Sequence, residues 1–142
     1  MTGEFSVAVH ALVFLYHKGA TLTSGELAEN ICTNPARVRK VMASLVRAGL
    51  AHSSEGRGSG YSVLPDAGDT TLLQVLDAVG ERAVDAAWRT GQMDTDCLIS
   101  SGMGSVMDAL CEDMNELCRK KLSGMTIGSI NNMLTHTEGD EK

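Results

Sequence analysis

Aromatic side chains are scarce. One tryptophan, two tyrosines and two phenylalanines make up 4% of the 142 residues. Any core must therefore be mostly aliphatic, with eight methionines available to fill irregular gaps. No apolar run approaches the roughly 20 residues of a membrane helix. The apolar start lacks a basic leader and a small-residue cleavage site, so it reads as a helix and not as a signal peptide. A cytoplasmic protein is expected, with no membrane partner. The signatures of common enzymes are missing too: there is no P-loop, no dinucleotide fingerprint, no nucleophile elbow and no zinc-hydrolase HExxH. The chain has neither internal repeats nor low-complexity segments, and its four histidines show no metal-binding spacing. It is not expected to be an enzyme.

What is present is polarised. Net charge is −6, which argues mildly against nucleic acid, but a ligand meets the local field and not the average. Between residues 31 and 62 the bases are Arg37, Arg39, Lys40, Arg47 and Arg57, opposed only by Glu55. From residue 94 to the end, nine acids face four bases. The length suits a single domain with an appended element, and 43% hydrophobic content suffices for a core.

Helix signals follow one another closely. Val9, Leu12, Val13 and Tyr16 recur at helical spacing within Phe5–Lys18, and Gly19 ends the segment. Thr23 and Glu26 form a capping box for a short helix to about Cys32. Asn34 and Pro35 suit the cap and first position of a third helix, whose Val38, Val41, Met42 and Leu45 share a face. Two helices this close have the spacing of a helix-turn-helix. Residues 50–64 then read as two short strands around a glycine-rich turn. Three helices and a hairpin are the order of a winged helix-turn-helix: the glycines let the hairpin approach a phosphate backbone, and Arg57 is the cation it carries.

Beyond a polar linker, Thr71 and Gln74 cap a helix over Leu72–Val79. Residues 80–101 give no clear signal. A long helix is expected over Gly102–Leu122, where Met103, Met107, Leu110, Met114 and Leu117 step by 4, 3, 4 and 3, a heptad seam. In so small a chain the seam predicts a homodimer contact. A short helix over Ile127–Leu134 and a disordered tail complete the reading. The expected organisation is a DNA-binding domain over 1–80, connector and dimerisation helices over 81–135, and a tail over 136–142. The fold class is mainly α.

The stretches FSVAVHALVFL, ELAENICTNPARVRKVMASLVRAGL, GRGSGYSVL and TTLLQVLDAVGE together resemble the Rrf-two family of bacterial winged-helix transcriptional regulators. The resemblance covers Phe5 to about Glu81, and the long helix in outline. It implies a dimeric regulator, usually a repressor, with a wing and a long dimerisation helix. Two departures stand out. The family's usual wing arginine falls at Glu55, so that role passes to Arg57. The third helix carries Ala36-Arg37-Val38-Arg39-Lys40 where many members have Ser-Tyr-Leu-Glu-Gln, which looks like the YwnA-like subgroup without a cluster.

On this reading the DNA-contact candidates are Asn34, Ala36, Arg37, Arg39 and Lys40 on the third helix, with Arg57, Gly58 and Ser59 in the wing. Tyr61 is expected to pack on the helices. Cluster-bearing members of the resembled family carry three cysteines close together before the long helix. Here Cys97 is in about that region, but Cys111 and Cys118 fall a heptad apart within the helix, ~10 Å along its axis. No cofactor is expected. Cys111 and Cys118 read as buried apolar groups beside the seam, and Cys32 as core. Cys97, near a helix N-terminus, is a candidate redox thiol. The leading expectation is a homodimeric repressor binding operator DNA under an unknown effector. The alternatives are a redox or iron–sulfur sensor using Cys97 with other cysteines, or a winged helix that docks a protein instead of DNA.

Overall fold

The structure, a computed structural model, describes the backbone of residues 3–85 and 88–140 and the side chains through residue 136 outside that gap. Its helices are α1 (Gly3–Lys18), α2 (Ser24–Ile31), α3 (Pro35–Arg47), α4 (Leu72–Val79), α5 (Leu98–Ser123) and α6 (Ile127–Asp140). Strands β1 (His52–Ser54) and β2 (Gly60–Ser62) lie between α3 and α4, followed by a short 3-10 helix, Pro65–Asp69.

α1 is the hub. It packs against α2, α3, α4 and α6. Its deepest residues are Ala8, Ala11, Leu12 and Leu15, while Val9 and Tyr16 are half-buried. The expected face of Val9, Leu12, Val13 and Tyr16 is thus rotated, because a helix enclosed on several sides lacks the single apolar stripe that periodicity detects. Val38, Val41, Met42 and Leu45 of α3 all face the core, as their spacing predicts. Both capping boxes form: Thr23 accepts from the Glu26 N–H at 3.1 Å, and Thr71 from that of Gln74 at 3.1 Å.

The hairpin pairs His52 with Ser62, Ser53 with Tyr61 and Ser54 with Gly60. It is pinned to the head by an isolated bridge before α2: the Tyr61 N–H donates to the Leu22 carbonyl at 2.8 Å, and the Leu22 N–H to the Tyr61 carbonyl at 2.9 Å. Gly60, at φ 152°, makes this approach possible, since a Cβ there would stand 2.4 Å from the Leu22 carbonyl oxygen. Tyr61 packs against the core cluster as expected.

A second isolated bridge joins the chain end to the head. The Leu72 N–H donates to the Met125 carbonyl, and the Ile127 N–H to that of Thr70, both at 2.9 Å. Leu122 and Ile127 consequently lie in the same core as α1, α3 and α4. α5 begins at Leu98, four residues before the expected start, with Cys97 as its N-cap residue. α6 continues to Asp140 instead of ending at Leu134, so residues 136–140 are helical and not the disordered segment expected; residues 141 and 142 lie outside the described ones. Among the described residues no helix is long and apolar enough to cross a membrane.

Candidate nucleic-acid interface

Asn34 caps α3, its side-chain oxygen accepting from the Arg37 N–H at 2.8 Å. Proline at the next position gives up no hydrogen bond there. With Val38, Val41, Met42 and Leu45 turned inward, the opposite face must point to solvent. That face carries Ala36 and Lys40, both exposed, and continues through exposed Ala43 and Arg47 at helical spacing. Arg47 belongs to this row although the sequence reading did not select it. Its spacing, seven residues from Lys40 and eleven from Ala36, was the available signal.

Arg37 and Arg39 flank the row and are engaged within the chain. The Arg37 Nε stands 3.1 Å from Glu4 Oε1 on α1, in a half-exposed ion pair. Arg39 donates to the Ser24 hydroxyl at 3.4 Å. The sequence candidates on α3 are thus of two kinds: Ala36, Arg39 and Lys40 are exposed, Arg39 with a long contact to α2, whereas Arg37 is half-buried and paired to α1.

The wing tip runs from Glu55 to Ser59, all exposed. Gly56 and Gly58 adopt φ of 86° and 73°, and the Ser59 N–H closes the turn on the Gly56 carbonyl at 3.1 Å. Arg57 sits between the two left-handed glycines and projects at the tip, with Gly58 and Ser59 beside it.

α5 has two different flanks. One is strapped by the preceding loop. Asn115 pairs with both backbone groups of Val84, Arg82 bonds Glu112 at 2.7 Å, and the Arg89 guanidinium bonds Asp108. Near the start of α5 the Gln92 N–H donates to the Ser100 carbonyl at 3.1 Å. The other flank is the expected seam. Met103, Met107, Leu110 and Leu117 are exposed and Met114 is half-buried. Ile99 and Val106 extend the apolar stripe and are 69% and 62% exposed. The sequence reading missed these two because it started the helix too late to include Ile99 and counted only strict heptad positions.

The cysteines do not converge. Cys97 is exposed, and Cys111 and Cys118 are half-buried. On an α-helix the step from Cys97 to Cys111 is about 21 Å and from Cys111 to Cys118 about 10 Å, so the three cannot ligate one cluster within this chain. Among the described residues no group of three histidine, cysteine or acidic side chains could hold a metal. Cys32 corrects an expectation. It is exposed, because it adopts the left-handed conformation (φ 65°) that caps α2, a position normally given to glycine. Backbone N–H groups of Ser100 and, second, Ile99 point at the Cys97 sulfur and hold its pKa below the ordinary thiol value.

The sequence matches the Rrf2 family, described as iron-dependent transcriptional regulators, over residues 1–132. YwgB of Bacillus subtilis, assigned as a helix-turn-helix transcriptional regulator, is 34% identical over 79 residues, 56% of this chain and 51% of that protein. The match thus spans about half the length of that relative. The helix-turn-helix transcriptional regulator IscR of Photobacterium profundum is 25% identical over 128 residues, 90% of this chain and 72% of that protein. A crystal structure from Lactobacillus plantarum, assigned as a transcriptional regulator, superposes with a TM-score of 0.76 at 21% identity over the whole of both chains. At that identity it speaks for the fold, which is the winged helix.

Proposed function

We propose, from the premise that this chain belongs to the Rrf2 family of transcriptional regulators, that it is a homodimeric repressor that binds operator DNA through α3 and the wing. The observation that carries this is the outward row of α3, Ala36, Lys40 and Arg47, with Arg57 exposed at the tip of a docked hairpin. Arginine and lysine on such a helix supply contacts to guanine edges and phosphates, and small Ala36 leaves room for close approach in the major groove. The wing arginine reaches flanking backbone or minor groove. Two heads joined through the long helices read two half-sites about one turn apart.

Dimerisation through α5 is supported by the division of its surface. The chain covers one flank with its own loop and leaves the apolar flank bare. A stripe of this kind along a helix about 39 Å long is the pattern of an interhelical seam. An effector would act by changing how the two heads are held relative to each other, shifting the share of DNA-competent dimers.

The spread of the cysteines supports a regulator that works without a resident cluster, despite the family's iron-dependent description. A second reading, thiol sensing at Cys97, is favoured by its exposure and its backbone-stabilised thiolate at the start of α5.

The test is DNA affinity across salt concentrations. Arg57→Ala and Lys40→Ala each remove one cation and should lower the salt slope by about 1 while the dimer persists by sedimentation. Affinity that ignores salt would sink the DNA reading and favour a protein-docking winged helix, because binding through lysine and arginine must weaken as counterions compete.

A further inference from the structure

The function proposed above uses neither His10 nor His17. Both line a groove of about 710 Å³ between α1 and α6, closed at one side by Asn30 of α2. Its walls are Val9, Val13, Phe14, Leu72, Ile130 and Leu134. A cavity of this size with apolar walls and a few placed polar groups has the composition of a small-molecule site.

The polar groups come as two matched pairs. His10 Nε2 lies 2.7 Å from Asn30 Oδ1, and His17 Nδ1 lies 3.1 Å from Asn131 Oδ1. An amide oxygen only accepts, so each ring nitrogen must be the donor. Both asparagine amide nitrogens then remain as donors. The two histidines are seven residues apart on α1, or about 10 Å along its axis. None of the described residues lining the groove is acidic. Two sets of hydrogen-bond donors at the ends of an apolar trough, without a carboxylate in its lining to repel an anion, select an acceptor-ended apolar ligand.

The geometry points to a binding site in the α1–α6 groove for a small carboxylic acid with an aromatic or aliphatic body, its carboxylate accepting from the Asn131 side-chain amide, which His17 orients through Oδ1. Such a ligand touches α1 and α2 of the winged helix and α6 at once. It would serve as the effector of the regulator proposed above, and in that role it rests on that reading; the site itself does not, because it is tested without DNA.

The experiment is calorimetric titration of the full chain with 4-phenylbutyrate and with decanoate, alongside the neutral 4-phenylbutyramide. Saturable binding of at least one acid is expected, at one site per chain and more tightly than the amide. Leu134→Trp fills the groove from its exposed rim, and Asn131→Asp replaces an amide donor with a carboxylate. Each should weaken the acid at least 10-fold, with the circular dichroism spectrum and melting temperature of both variants checked against the parent. Failure of both acids to bind the parent overturns the proposal, as does binding to both variants as tight as to the parent. Failure to bind combined with a changed oligomeric state in Leu134→Trp would overturn it in favour of a second copy of the chain in the groove. Loss of DNA binding in a separate assay would leave all of these outcomes unchanged.

Discussion

Asn115, only 6% exposed, holds Val84 by both ends of its amide: the Val84 N–H donates to Oδ1 at 2.8 Å, and Nδ2 donates to the Val84 carbonyl at 2.7 Å. One side chain in mid-α5 thereby substitutes for the strand neighbour that the loop lacks. Asn115→Leu leaves both Val84 groups without their partner, at about 1–3 kcal/mol for each group left buried and unpaired. Hydrogen exchange at Val84 should rise sharply in this variant. Exchange in the α1 and α3 core should change far less.

Met107→Glu and Leu110→Glu introduce charge into the bare flank of α5. Both parent residues are exposed within one chain, so the fold of that chain should survive. A self-pairing seam would bring like charges together in an apolar interface, and sedimentation should report monomers. A dimer that persists in the double variant would remove the α5 seam as the interface.

Glu4 of α1 pairs with Arg37 of α3. The pair is 40% exposed on the arginine side, so its contribution to stability is small. Glu4→Gln should leave the melting temperature within a few degrees. It should raise affinity for non-specific DNA several-fold at low salt, by releasing a cation and removing an acid close to α3. The gain should fade as salt increases.

Cys97 should be alkylated faster than Cys32, although both are exposed. Hydrogen bonds from the Ser100 and Ile99 N–H groups lower the Cys97 pKa, so its rate should reach half-maximum at a lower pH than that of a free thiol. The sign for stability follows: with the folded value depressed, the contribution is present above the unfolded pKa and is lost as pH falls through the folded one. Mass-spectrometric labelling against pH reads both sites in one sample.

Gly60→Ala forces a Cβ to within 2.4 Å of the Leu22 carbonyl oxygen. The hairpin must move away from Leu22 or the Leu22–Tyr61 bridge must break. A loss of about 1–3 kcal/mol is expected, in the range of a strained backbone position, together with weakened DNA binding through a displaced Arg57. Thermal melts and DNA titrations on the same preparation separate the two effects.

Local signals determined much of this protein. Thr23, Asn34 and Thr71 cap their helices where the sequence puts them, because a cap needs only residues three positions away. The inward face of α3 and the hairpin around Gly56 and Gly58 were legible for the same reason: period and turn chemistry are short-range. The family was legible from several such motifs in a fixed order. Tertiary structure alone decided the rest. The pairing of Arg37 with Glu4, 33 residues apart, depends on how α1 crosses α3. Asn115 with Val84 depends on a loop of irregular backbone that no periodicity marks. The burial of Ile127 beside α1, and the groove that joins His17 to Asn131 across 114 residues, exist only once α6 returns to the head. Contacts between residues distant in sequence arise from the packing of elements already formed, and a local pattern carries no record of which elements will meet.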